Sequence, residues 1–304
     1  MRFRGLDLNL LVAFDALLTT RSVSRAAERL NLSQPAMSAA LGRLRDYFRD
    51  DILVAQGKRM HPTAYAVSLH ARVQEALVGI ESLVTASAVF DPSTSDRTFR
   101  IAASDYILVA VLAPVAARLA SLAPGVRIDF LLPNEDSTHH LNEGKIDLLV
   151  APDNFVHRDH PADLLFEETH VLVGWRDNDS LREGLSEDEF YDLGHVVVAF
   201  GAPRTPSFVD RQIELRGRPR RAEVVASSFT ALPWLLFGTP RIAAMHARLA
   251  EALVSRFPLK SVSMPFDLPP MREMVQYHAA RAQDDGLIWL RRQILDEPLN
   301  KGSG

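Results

Sequence analysis

The chain contains no cysteine in 304 residues. That excludes a disulfide framework, a thiolate metal site and a cysteine nucleophile, and it agrees with a reducing cytoplasm. Long hydrophobic runs are missing as well. On a reading of the sequence no stretch approaches the ~18 consecutive apolar residues of a membrane span, so no membrane partner is expected. The opening MRFRGLDLNLLVAFDALL is basic and then apolar, like a secretory leader. Asp7, Asn9 and Asp15 interrupt it, however, and no small-residue cleavage site follows. There is no GxSxG elbow and nothing sets a base beside a nucleophile, so Ser104-Asp105 and the histidines give no hydrolase, and no catalytic residue is expected. His139-His140 and His157/His160 lack a cysteine or a second ligand pair at metal-site spacing. They read as solvated surface, with no metal.

What is present is an ordinary globular composition, 47% apolar and 24% charged, at a length that suits two or three domains. The net charge of −4 conceals an asymmetry: residues 1–62 hold 10 Lys+Arg against 6 Asp+Glu, and the remainder 24 against 32. A basic head on an acidic body suits a phosphate-binding module joined to a domain with a different task.

The head carries the strongest pattern. Leu6, Leu8, Leu10, Leu11, Phe14, Leu17 and Leu18 give a first helix an apolar face. Residues 22–48, SVSRAAERLNLSQPAMSAALGRLRDYF, read as a short helix, a polar break at Asn31–Ser33 and a second amphipathic helix. This is the spacing of a helix-turn-helix, whose second helix enters the DNA major groove. Ser22 and Ser33 are N-cap candidates and Pro35 falls in a first turn, where its missing N–H is harmless. Ala26 and Ala27 are small enough for a close helix crossing, and Met37, Leu41, Leu44 and Phe48 form the buried stripe. Gln34, Ser38, Arg43 and Arg45 lie opposite. Gln can pair with adenine, Ser with either base type, and Arg with guanine or phosphate. Residues 50–61, DDILVAQGKRMH, read as a two-stranded wing turning at Gly57-Lys58, with Gln56, Lys58 and Arg59 placed for the backbone or minor groove. The expected contacts to double-stranded DNA are therefore Ser22, Arg25, Ser33, Gln34, Pro35, Ser38, Arg43, Gln56, Lys58 and Arg59.

DLNLLVAFDALL at 7–18, SVSRAAERLNLSQPAMSAALGRLR at 22–45 and FRDDILVAQGKRMHPT at 48–63 closely resemble the LysR-type transcriptional regulators. The opening, with SQPAMSAALGRLRDYFRDD, is most like their nodulation-gene (NodD-type) branch. The likeness is specific in the head and looser over the rest of the chain. Ala39 stands where many members carry Arg, which removes one contact common in the family. The NodD-like branch also has Ala there.

After Pro62-Thr63, residues Ala66, Leu69, Val73, Leu77, Ile80 and Val84 recur at helical spacing. A helix of about 25 residues spans about 37 Å, and one apolar stripe along it suits coiled-coil pairing. Packing on its own domain is the other reading of the same stripe. The resemblance implies pairing through this linker helix, a tetramer built as a dimer of dimers, activation of a neighbouring gene, and RNA polymerase as a further partner. The expected division is a winged helix-turn-helix over 1–62, a dimerising linker helix over 63–90, and an effector-binding body over 91–304.

In the body the pattern changes to βα alternation. FRIAASD (99–105), VRIDFLLP (126–133), KIDLLVAP (145–152), ETHVLVGW (168–175), HVVVAFG (195–201), RAEVVASS (221–228), PRIAAMH (240–246) and LKSVSMPF (259–266) read as strands. Helices are expected at 106–122, 137–143, 207–216, 230–237, 246–256 and 285–296. This fits α/β architecture with two Rossmann-like lobes of the periplasmic-binding-protein type. Lobe I takes about 97–165 and 270–300, and lobe II about 166–269. The first crossing is expected near 163–171 and the return near 264–274. Ligands of such sheets sit at strand carboxyl ends, between the lobes. That nominates Ser104, Asp105, Tyr106, Pro152, Asp153, Asn154 and Phe155 from lobe I. From lobe II it nominates Phe200, Gly201, Ser227, Ser228, Phe229 and Thr230. Aromatic side chains mixed with hydroxyls and free N–H groups suit a small aromatic or phenolic acid as effector, with no other cofactor. Each phenylalanine is equally readable as plain core. The rival to a sensor is a ligand-independent DNA-binding protein whose body serves only assembly. A sensor requires unpaired polar groups between the lobes, and an assembly body requires a filled interface.

Overall fold

The computed structural model describes residues 7–296 apart from 58, 86–89, 135 and 202, and for 81–85 the backbone alone. The chain divides into two compact units, Met1–Ala86 and Ser87–Gly304.

In the first unit, three helices precede a wing and a long helix: α1 (Leu8–Thr20), α2 (Val23–Arg29), α3 (Gln34–Phe48), β1 (Leu53–Gln56), β2 (Arg59–Pro62) and α4 (Ala64–Thr85). Each of the first three starts on a side-chain cap. Asp7 accepts the N–H of Leu10, Ser22 that of Arg25 and Ser33 that of Ala36, and each such cap stabilises its helix by about 1 kcal/mol. Ala26 and Ala27 are fully buried, and their missing bulk lets α2 cross α1 and α3 closely. Leu10, Phe14, Leu17, Met37, Leu41 and Leu44 fill the space between the helices.

Arg45 departs from the exposed face predicted for it. Its guanidinium donates to the carbonyl oxygens of Asp51 and Leu53, each at 2.8 Å, and so fastens α3 to the base of the wing. At that base Ile52 is fully buried with φ 58°. A β-branched residue in the left-handed region costs on the order of 1–3 kcal/mol. Asp50 holds it there, accepting the Ile52 N–H at 2.7 Å and the Thr63 hydroxyl at 2.6 Å.

The stripe predicted on α4 is partly used within the chain. Ala66, Leu69, Val73 and Leu77 join the core of the first unit. Asp15 of α1 accepts from His70 at 2.9 Å and Gln74 at 3.0 Å, and Arg29 lies 3.6 Å away. Burial alone would raise the Asp15 carboxyl, but these hydrogen bonds and charges outweigh it and hold the group below the usual carboxylate range.

The second unit begins β3 (Thr98–Ala103), α5 (Asp105–Ile107), a π-helical segment Leu108–Leu112, α6 (Ala113–Leu122), β4 (Arg127–Leu131), α7 (Ser137–Asn142), β5 (Leu148–Pro152) and β6 (Ala162–Glu168). It continues β7 (His170–Trp175), α8 (Glu187–Asp192), β8 (Gly194–Phe200), β9 (Thr205–Pro206), α9 (Phe208–Glu214), β10 (Arg221–Ala226), α10 (Leu232–Leu236), β11 (Ile242–His246), α11 (Ala247–Val254), β12 (Leu259–Ser263), β13 (Met271–Gln276) and α12 (Asp285–Leu295). Lobe I has the strand order β4-β3-β5-β13-β6, and lobe II β10-β8-β11-β7-β12 with β9 on β8.

Read as a sequence, 168–175 is one strand. It is two: β6 ends at Glu168 in the lobe I sheet and β7 begins at His170 in that of lobe II. The return is made before β13, which pairs antiparallel with β5 and β6. Neither β6 nor β13 alternates cleanly, because charged residues interrupt ADLLFEE and MREMVQ, and both escape the strand pattern. The main apolar core passes from Phe99, Ile101 and Leu148 of lobe I to Val173, Val196 and Met245 of lobe II.

The predicted helix 106–122 is broken into α5, the π segment and α6. One expectation fails on it. Asp105–Leu122 is long and apolar enough by length and composition to cross a membrane, with mean hydropathy 1.6. It packs instead as a core helix of lobe I, with Tyr106, Ile107, Val111, Leu112, Val115 and Leu119 buried.

Candidate DNA-reading face and interlobe site

Gln34, Pro35 and Ser38 stand exposed on the first turns of α3, while Met37, between them in sequence, is fully buried. The helix thus divides into a face fixed in the core and a face with free amide and hydroxyl groups. Ser22 and Ser33 are occupied as caps, and Arg25 is exposed on α2. The Arg43 guanidinium is exposed but donates to Asp7 at 2.7 Å, a contact that pulls the Asp7 carboxyl below its ordinary range. Gln56 and Arg59 face each other across the wing turn, both exposed. Lys58 lies outside the described residues.

The interlobe candidates converge only in part. Ser104 caps the turn after β3 through the N–H of Ile107. Asp105 reaches lobe II, where its Oδ2 accepts from the Ser228 hydroxyl at 2.7 Å and from the N–H and hydroxyl of Thr230, each at 2.8 Å. The Thr230 N–H, predicted free, is therefore taken. Tyr106 is 1% exposed and its ring lies flat on His246, centroids 3.7 Å apart. Phe229, also buried, meets Tyr106, Phe200 and His246 edge-on or tilted at 6.4, 5.5 and 4.5 Å. Both aromatics fill the floor between the lobes rather than line an opening. Gly201 and Ser227 are exposed, Gly201 at φ 73°. The third predicted group joins only through β13: Pro152 is half-buried and pairs with Glu273, Asp153 approaches Arg272 at 3.7 Å, and Asn154 and Phe155 are exposed.

Sequence reasoning missed the polar groups beneath this floor. The Tyr106 hydroxyl donates to Glu168, whose other oxygen lies 3.3 Å from Arg248, and Glu273 of β13 is 1% exposed. Burial lowers His170 to about 4 and drives His246 well below the ordinary histidine value. Burial, with the charges of Glu168 and Asp153, raises Glu273 to about 8. At neutral pH these three are uncharged. Among the described residues, His170 Nε2, His246 Nδ1, Arg248 Nε and Glu273 Oε2 have no hydrogen-bond partner. Both requirements stated for the body, a filled interface and unpaired polar groups, thus occur in one place. Two cavities of about 530 and 470 Å³ lie elsewhere. One is at the β4 edge beside Arg100 and Lys145, and the other at the β10 edge beside Arg218 and Arg220.

His157 and His160 are less solvated than expected. His160 is half-buried against Asn142 and His278. Among the described residues no group of three or more His, Cys, Asp or Glu side chains could hold a metal ion.

Residues 8–67 match the bacterial regulatory helix-turn-helix proteins of the LysR family, and residues 93–298 match the LysR substrate-binding domain. The chain belongs to the LysR family. Nodulation protein D 1 of Bradyrhizobium elkanii is 41% identical over 303 residues, covering 100% of this chain and 96% of that protein. A probable transcriptional regulator of Pseudomonas aeruginosa superposes with a TM-score of 0.64 at 32% identity, over 96% of this chain and 97% of its own. CbnR in complex with its target DNA, at 15% identity, shares the fold over 95% of this chain and 98% of its own, with a TM-score of 0.52. As a LysR-family member, this chain is a DNA-binding transcriptional regulator with a helix-turn-helix unit and an effector-binding unit of two α/β lobes. Oligomerisation and a small-molecule effector accompany that architecture.

Proposed function

We propose that residues 1–62 read an operator through the exposed face of α3. Gln34 and Ser38 make base contacts, Arg25, Arg43 and the wing residues Gln56, Lys58 and Arg59 grip phosphate, and Ser22, Ser33 and Pro35 hold the helix starts. The observation that carries this reading is the pairing of free Gln34 and Ser38 with a fully buried Met37, which presents those two side chains on a rigid helix. Residues 63–90 pair two chains, so that two α3 helices meet half-sites about 10 base pairs apart, and two such dimers form a tetramer. RNA polymerase is the further partner of an activator, and the cytoplasm is the compartment.

The body, residues 91–304, senses an aromatic effector between the lobes. The half-buried Phe200 supplies apolar contact, with Phe229 packed behind it, and the His170, His246, Arg248 and Glu273 atoms left without a partner among the described residues supply polar contact to hydroxyl or carbonyl groups. A ligand can shift the DNA-bound assembly only through unequal affinity for two lobe arrangements. Thermal denaturation against phenolic acids, flavonoids and chlorinated aromatics tests this, because a ligand bound to the native state adds RT ln(1 + [L]/Kd) to its stability. A concentration-dependent rise with one class supports sensing. The packed floor favours the rival reading, a body for assembly alone, and no rise with any compound of the panel would rule out an aromatic effector and leave a non-aromatic effector or that assembly body.

A further inference from the structure

Three donors from lobe II converge on one oxygen of Asp105: two hydroxyls and a backbone amide, all within 2.8 Å. The Ser228 oxygen also accepts the Ala231 N–H at 3.2 Å, which leaves its own proton for Asp105. The second carboxylate oxygen faces the N–H of Tyr106 at 3.1 Å. Hydroxyls and an amide aimed at a single oxygen form a receptor for a carboxylate, and charge-assisted bonds of this kind are about twice as strong as neutral ones. The occupant here belongs to the chain itself and comes from the opposite lobe, 123–125 residues away in sequence.

We propose that Asp105 is a resident carboxylate. It fills the acid-receiving position between the lobes and latches them together, and the effector taken there therefore carries no carboxylate. The last clause rests on the interlobe reading of the effector site, and the latch does not. A free acid would have to displace a group held at high effective concentration and then lie beside its negative charge. A neutral ligand meets neither obstacle. The phenolic acid suggested by the sequence thereby gives way to an uncharged aromatic.

The test is thermal unfolding of the full chain in chloride, acetate or benzoate at matched ionic strength. Asp105→Ala should melt about 4–8 °C below the parent in chloride. Acetate or benzoate should recover half or more of that loss, and neither should move the parent or Asp105→Asn. A structural role alone would not give rescue by a free carboxylate. Equal shifts of Asp105→Ala and the parent would overturn the latch. Should Asp105→Ala not fold, Asp105→Asn and Thr230→Val provide a double-mutant cycle. A combined loss smaller than the sum supports the shared contact, and additive losses refute it. Benzoate stabilising the parent more than benzamide would overturn the exclusion of acids. Rescue of Asp105→Ala with no response of the parent to any neutral aromatic would support the latch and refute the interlobe effector.

Discussion

Glu273→Gln is expected to stabilise the second unit by about 3 kcal/mol at pH 7, and the gain should shrink to under about 1 kcal/mol at pH 5. The wild-type carboxyl ionises near pH 8 when folded and near its ordinary value of 4.5 when unfolded. Between those values the folded chain holds a proton that the unfolded chain releases, so stability falls as pH rises through this window. Glutamine is neutral throughout and removes the slope. The buried histidines act in the opposite sense. His170, His195 and His278 titrate at about 4, so their contribution is lost as pH falls from 6.5 toward 4. They are common to both chains and cancel in the difference. All three tryptophans, Trp175, Trp234 and Trp289, lie in the second unit, so urea unfolding followed by their fluorescence reports this unit alone. A difference that does not grow between pH 5 and 8 would mean that Glu273 is ionised in the folded chain.

Gln34→Ala and Ser38→Ala are each expected to weaken operator binding by about 1–3 kcal/mol and to leave binding to random-sequence duplex unchanged. Both side chains are exposed, so their loss costs the fold little. The large effect arises because the bidentate amide contact of Gln34 and the hydroxyl contact of Ser38 have no substitute once the helix is seated in the groove. Competition binding with operator and non-specific duplex at one salt concentration separates the two terms. Equal loss on both DNAs would place these residues on phosphate rather than on bases.

The head was legible because its elements carry local signals. Ser22 and Ser33 cap in the manner their positions suggest, and the Met37, Leu41, Leu44 stripe is buried at helical spacing. Arg45 was not legible, since its partners are carbonyl oxygens of the wing base, and a sequence does not show where a carbonyl points. In the body, strand carboxyl ends nominated Asp105, Tyr106, Ser228, Phe229 and Thr230, and these residues meet one another across the lobes. That Asp105 accepts from the other lobe follows only from their closure. Glu168, His170, His246, Arg248 and Glu273 were passed over because they come from three separate stretches of the chain and share no motif. The signal available was the improbability of charged residues within strands: EETH spans the first crossing, and the glutamate of MREMVQ follows the return.

The most direct measurement is selection of sites by the full chain from a pool of random duplex DNA. The expected result is an enriched motif with two half-sites about one helical turn apart, and a loss of information within each half-site for Gln34→Ala. Binding without any enriched sequence, or the same motif from the variant, would contradict it.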